Sequence, residues 1–156
     1  MQTVELSAAE LMIAATVGAM RRVSSLKRGM DTDRHAPHSS WSTDIDAAAA
    51  EMVVSKLLGR YWSGHTNNFF GDDVAGGIQV RSTTYQDGKL IVRACDGDAA
   101  VFVLVTASPP RYSVMGWMRG GDAKIEKYFR PGNGEGSDAW WVPQAVLRPL
   151  DELKLS

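Results

Sequence analysis

The sequence predicts an α+β domain, because two helical segments come first and a run of strands follows without helices between them. Three observations carry this. Ser7-Ala-Ala-Glu10 is a capping box that opens a stripe of apolar residues at helical spacing. An alanine-rich stretch from Ala47 to Ala50 leads to a natural stop at Gly59. Beyond Gly77 the pattern turns to β-branched residues punctuated by turn signals. No second hydrophobic core or internal repeat is evident, so the 156 residues are expected to form one domain. Its parts are an N-terminal helix over 1–30, a loop over 31–42 and a core over 43–150.

In the first helix apolar residues recur at Leu11, Met12, Ala15, Ala19, Met20 and Val23 as a helical stripe, and Gly29 ends it. Arg21, Arg22, Lys27 and Arg28 sit in its last turns, where cations suit the dipole. The polar loop carries His35 and His38 beside Asp31 and Asp33. It reads first as solvated loop residues, second as a loop near a DNA groove and last as a metal site, since His-x-x-His lacks a further ligand spacing. Thr43 caps the second helix, with Asp44 and Asp46 in its first turn. Ile45, Ala49, Met52, Val53 and Leu57 form its buried face, and Glu51 lies beside that stripe.

The strands follow. Gly77–Tyr85 and Lys89–Cys95 flank Asp87-Gly88, a hairpin signal, and Asp96-Gly97-Asp98 marks another turn. Val101–Thr106 is almost wholly apolar, as in a central strand covered on both faces. Pro109-Pro110 breaks it and Tyr112–Met118 is a further strand. Residues 131–138 form a glycine-rich loop without the Lys-Ser/Thr of a phosphate loop. Trp140-Trp141-Val142 is a short last strand whose pairing Pro143 is expected to limit to the start or edge of a sheet. Trp117, Trp140 and Trp141 read first as packing aromatics and second as base-stacking platforms.

Composition narrows the function. A net charge of −1 argues against a strongly basic nucleic-acid coat, while leaving room for a local basic groove. Cys95 is the single cysteine, which excludes an intrachain disulfide and a thiolate zinc cluster. The apolar run from Leu11 to Ala19 is short and follows Glu5 and Glu10, so neither a signal peptide nor a membrane span is expected. A cytoplasmic protein with no membrane association is the expectation. No Ser-His-Asp arrangement or Gly-x-Ser-x-Gly elbow supports covalent hydrolysis.

The densest chemistry lies in Asp72-Asp73-Val-Ala-Gly-Gly-Ile-Gln79-Val80-Arg81. An acid, then an acid-or-amide, an apolar residue and a base resembles the signature of the PD-(D/E)XK, or restriction-endonuclease-like, nuclease superfamily. Trp41, the Glu51 helix, Tyr61-Trp62 and the C-terminal Trp-x-Val-Pro at Trp140–Pro143 extend this resemblance to a small phage-associated branch, over about residues 35–150.

The resemblance implies a mixed sheet flanked by helices, with an additional helix at the N-terminus. It also implies a Mg2+- or Mn2+-dependent nuclease acting on DNA, with Glu51, Asp73, Gln79 and Arg81 as the catalytic set. Asp73 would be the primary ligand, helped by the Val80 carbonyl and by Glu51 directly or through water. Two positions depart from the family pattern. Gln79 offers a carbonyl oxygen without charge. Arg81 stays protonated, so it is suited to clamping phosphate rather than to accepting a proton.

Asp96 is a candidate replacement for the missing carboxylate. A two-residue Asp87-Gly88 hairpin would place it opposite Gln79, whereas a longer loop would turn it away; a turn-forming role is the alternative. Glu51 has its own alternative, a helix-surface charge paired with Ser55 or a nearby base. The basic helix ends, with Arg111, Arg119 and Lys124, are the candidates for backbone contacts to DNA. The competing functional class is a catalytically impaired module that keeps the fold and binds nucleic acid or a protein partner, with a dimer open.

Overall fold

The computed structural model describes residues 1–29, 40–66, 72–132 and 138–154. His35, His38 and their acidic neighbours fall outside these, as does most of the glycine-rich loop. The architecture is α+β.

Helix α1 (Ala8–Lys27) starts at the expected capping box, with Ser7 N donating to Glu10 Oε2 at 2.8 Å and Glu10 N to Ser7 Oγ at 3.3 Å. Helix α2 (Ser40–Leu58) begins a few residues before Thr43. Gly18 lets the two helices touch, since a Cβ there would lie 2.5 Å from the Ile45 Cα. Lys56 reaches back to Glu10 Oε1 at 2.7 Å, and this hydrogen bond, with the Ser7 cap, lowers the Glu10 carboxyl to about 2. Among the described residues, no helix is long and apolar enough to cross a membrane.

Strand β1 (Gln2–Glu5), β2 (Ile78–Thr83), β4 (Val101–Ser108) and β5 (Arg111–Arg119) form one sheet in the order β1-β5-β4-β2. Within it β2 runs parallel to β4, and the other pairs are antiparallel. Strand β3 (Leu90–Arg93), β6 (Phe129–Arg130) and β7 (Ala139–Val142) form a second, antiparallel sheet in the order β3-β7-β6. A short helix, α3 (Gly120–Ala123), follows β5.

The expected β2–β3 hairpin does not form. The chain turns at Gln86 and Asp87, and β3 then joins the other sheet. Burial explains the choice. Strand β4 is buried from Val101 to Ala107, and its alternate residues feed two apolar clusters. Val101, Val103 and Val105 pack with Ala49, Val53 and Val54 of α2 and with Ile78 and Val80. Phe102 and Leu104 pack on the opposite face with Leu90, Val92 and Val142. Pairing β3 beside β2 would strip that second face of its cover, and apolar burial outweighs a local turn preference. Sequence patterning shows one core, but there are two clusters sharing one strand.

Candidate functional site

Strand β2 is an edge strand, and its open side is where the candidate residues gather. Gly76 and Gly77, at φ 103° and 76°, fold the preceding chain back on that edge. Asp73 N and Val74 N then donate to Ile78 O at 3.0 and 3.2 Å, and Gly77 N donates to Asp72 Oδ2 at 2.8 Å. Asp73 is therefore not an in-phase member of the Gln79–Arg81 strand, as a bulge-free reading would have it. Its carboxylate lies along the edge, where Oδ2 accepts from Val80 N at 2.7 Å. Burial first, and the nearby Glu51 charge second, push Asp73 up from 3.8 to about 6 against the opposing Val80 hydrogen bond, Arg81 and Arg21.

Glu51 is only 5% exposed. Arg21 holds it with a forked pair, Nη1 to Oε1 at 2.6 Å and Nη2 to Oε2 at 2.8 Å, and Trp62 Nε1 donates to Oε2 at 3.0 Å. Arg21 Nε donates to the His65 carbonyl at 2.7 Å, which ties the segment after α2 to the same guanidinium. Of the two roles open to Glu51, the pairing with a base is the one this geometry displays.

Arg81 Nη2 pairs with Asp96 at 3.1 and 3.3 Å, its guanidinium lies 5.1 Å from the Phe102 ring centroid, and Nη1 donates to Val80 O at 3.5 Å. Asp96 reaches the site without any hairpin register. It closes the turn after β3, accepting from Arg93 N at 2.8 Å, so its turn-forming role and its place beside Arg81 coexist.

These side chains line one cleft of about 370 Å³, walled by Arg21, Asp44, Asp73, Gln79, Arg81 and Asp96, with Ser25, Ser63, His65, Thr66 and Asp72 completing it. Glu51 stands behind Arg21 rather than in the lining. Among the described residues no three acid, His or Cys side chains are gathered as a ready-made cation cage. What the edge offers a hard cation is the Asp73 carboxylate with the neutral oxygens of Gln79 and Val80.

The three candidate DNA-contacting bases do not form a stripe. Arg111 opens β5 and Arg119 closes it, about 27 Å apart at strand rise. Arg111 faces Glu5 at 3.5 Å. Lys124 is consumed locally: its ammonium donates to the Asp96 and Ala94 carbonyls and to Asp98 Oδ1 at 2.7 Å, and Arg119 donates to Ala99 O at 3.4 Å. Both fasten the loop that carries Asp96.

Sequence reasoning had Arg21 among the basic residues ending α1 and Asp44 in the first turn of α2, and brought neither of them, nor His65 or Thr66, to this cleft. For Arg21 a signal existed. Ala14 and Gly18 mark the close-contact face of α1, and Arg21 lies one further turn along it.

Two outcomes are expected. Removing Arg21 leaves a buried, uncompensated carboxylate, so Arg21→Met should cost about 3–5 kcal/mol in urea denaturation, and adding Glu51→Gln should restore part of it. Asp73 behaves differently. Its protonated form stabilises the native state below pH 3.8, and that contribution is lost as pH rises through about 6. Asp73→Asn stays neutral and keeps an acceptor for Val80. It should match the parent in thermal melts near pH 3.5 and exceed it at pH 8, by up to about 3 kcal/mol.

The chain matches no family model, no curated protein and no solved structure.

Proposed function

We propose that the cleft hydrolyses DNA phosphodiester bonds with the help of Mg2+ or Mn2+, on a restriction-endonuclease-like arrangement. The observation that carries this is Asp73. A carboxylate held in a partly desolvated polar cleft, with its proton affinity raised and the Arg21 and Arg81 guanidinium groups lining the same cleft, is costly to keep for stability alone.

Asp73 would hold the cation, with the Gln79 amide oxygen and the Val80 carbonyl beside it. When bound, the cation offsets charge on the attacking and leaving oxygens. Arg81 supplies a fixed positive charge for the phosphate. Phe102 beneath it and Asp96 beside it limit the orientations its fork adopts. Asp96 thus positions Arg81 rather than adding to the cation's ligands. Glu51 does the same for Arg21, holding a second guanidinium in the lining of the cleft. Arg111 has no part in this cleft, and Arg119 and Lys124 support it through the Asp96 loop.

One observation favours the alternative of a non-catalytic module that binds nucleic acid or a protein. Both guanidinium groups are already paired with carboxylates, so a substrate phosphate has to compete with Glu51 and Asp96. The two readings separate in a single assay. With Mn2+ present, the protein should nick plasmid and cut single-stranded DNA, Asp73→Ala should abolish cleavage, and Arg81→Ala should slow it by roughly 100-fold. An unchanged rate in Asp73→Ala would remove Asp73 from the chemistry, and no cleavage by the parent under any divalent cation would leave the binding module.

A further inference from the structure

We propose that a second cleft, adjoining the first, binds unpaired nucleotides and so directs the enzyme to single-stranded nucleic acid. This deepens the phosphodiester reading of the neighbouring cleft and rests on it.

The cleft has a volume of about 480 Å³ and lies where the edge strand of one sheet, β2, faces the edge strand of the other, β3. Arg81 lines both clefts and is the wall between them. Leu104 and Ile91 give it an apolar floor, Lys89 and Arg93 give it positive charge, and no carboxylate lines it. Unlike Arg21, Arg81 and Lys124, the side chains of Lys89 and Arg93 form no ion pair among the described residues.

Two aromatics complete the lining and face water: Tyr85 is 74% exposed and Trp141 is 43% exposed. The core aromatics Trp117 and Tyr112 are by contrast buried, at 4% and 1% exposed. The loop that carries Tyr85 is fastened. Tyr85 N donates to Thr83 Oγ1 at 3.2 Å, Gly88 N to Tyr85 O at 3.0 Å, and Gln144 Nε2 to the Gln86 and Gly88 carbonyls at 2.9 and 2.8 Å. Tyr85 is thus presented from a rigid backbone, which lowers the ordering cost of a contact.

The chemistry fits a strand whose bases are unpaired. Aromatic faces take base faces, and the bases of Lys89 and Arg93 take phosphates. A duplex hides its base faces and gains only the charge. The shared Arg81 wall would bring the adjoining phosphate to Asp73.

The test is fluorescence anisotropy in EDTA, so that binding is read without cleavage. The probes are labelled oligo-dT, oligo-rU and a DNA duplex of equal length. The parent should bind oligo-dT at least tenfold more tightly than the duplex at moderate salt, and comparison with oligo-rU assigns the sugar. Tyr85→Ala and Trp141→Ala should each weaken oligo-dT binding roughly tenfold, with Trp141→Phe restoring most of it. Lys89→Ser with Arg93→Ser should lower affinity and flatten its salt dependence. The proposal is overturned if the duplex binds as tightly as oligo-dT, if oligo-dT does not bind, or if Tyr85→Ala and the Lys89/Arg93 pair both stay within twofold of the parent. Asp73→Asn separates the two readings. Oligo-dT binding retained in a variant that has lost cleavage supports both. Cleavage by the parent with a groove indifferent to these substitutions leaves the nuclease and removes the groove.

Discussion

The forked pair between Arg21 and Glu51 is the interaction on which the site depends. It joins two helices that meet at Gly18 closely enough to exclude any larger residue. It also fixes the segment after α2 through the His65 carbonyl and Trp62. Its charges then act on the neighbouring Asp73. The Glu51 carboxylate raises the proton affinity of Asp73 while the Arg21 guanidinium opposes that, and burial sets the sign. A helix-packing contact thereby becomes an electrostatic setting at the edge of a sheet.

That edge is the second constraint. An open strand exposes unpaired amides, and proteins cover or charge them. Here the covering is done by the candidate residues themselves: the Gly76-Gly77 turn covers Ile78, the Asp73 carboxylate takes the Val80 amide, and Arg81 leans on the Val80 carbonyl. The same side chains that satisfy the backbone form the wall of the cleft. The opposite side of β2 is paired with β4, whose burial on both faces makes it the rigid support for everything at the edge.

Much of the fold was legible in the sequence. The Ser7 capping box, the double-sided burial of Val101–Thr106 and the break at Pro109-Pro110 each follow from local chemistry. Strand β1 escaped notice because its residues are mostly exposed and acquire order by pairing with β5. The Asp87-Gly88 signal misled because a turn preference is local, whereas the choice of partner for β3 was settled by Phe102 and Leu104 needing cover. At the site, Asp73, Gln79, Arg81 and Asp96 do meet in one cleft. The argument that brought Asp96 there, a hairpin register, was not the physical route; Arg81 and the Arg93 turn are. Glu51 was singled out as a candidate ligand, but it pairs with Arg21 from another helix, and long-range charge pairing leaves little trace in a single sequence.

The central claim is that the Asp73 edge holds a divalent cation. Electron paramagnetic resonance of Mn2+ titrated into the protein at pH 7.5 tests this directly. Mn2+ should bind the parent, retain affinity in Asp98→Asn, and lose it in Asp73→Asn. Equal Mn2+ binding by the parent and Asp73→Asn would contradict the account.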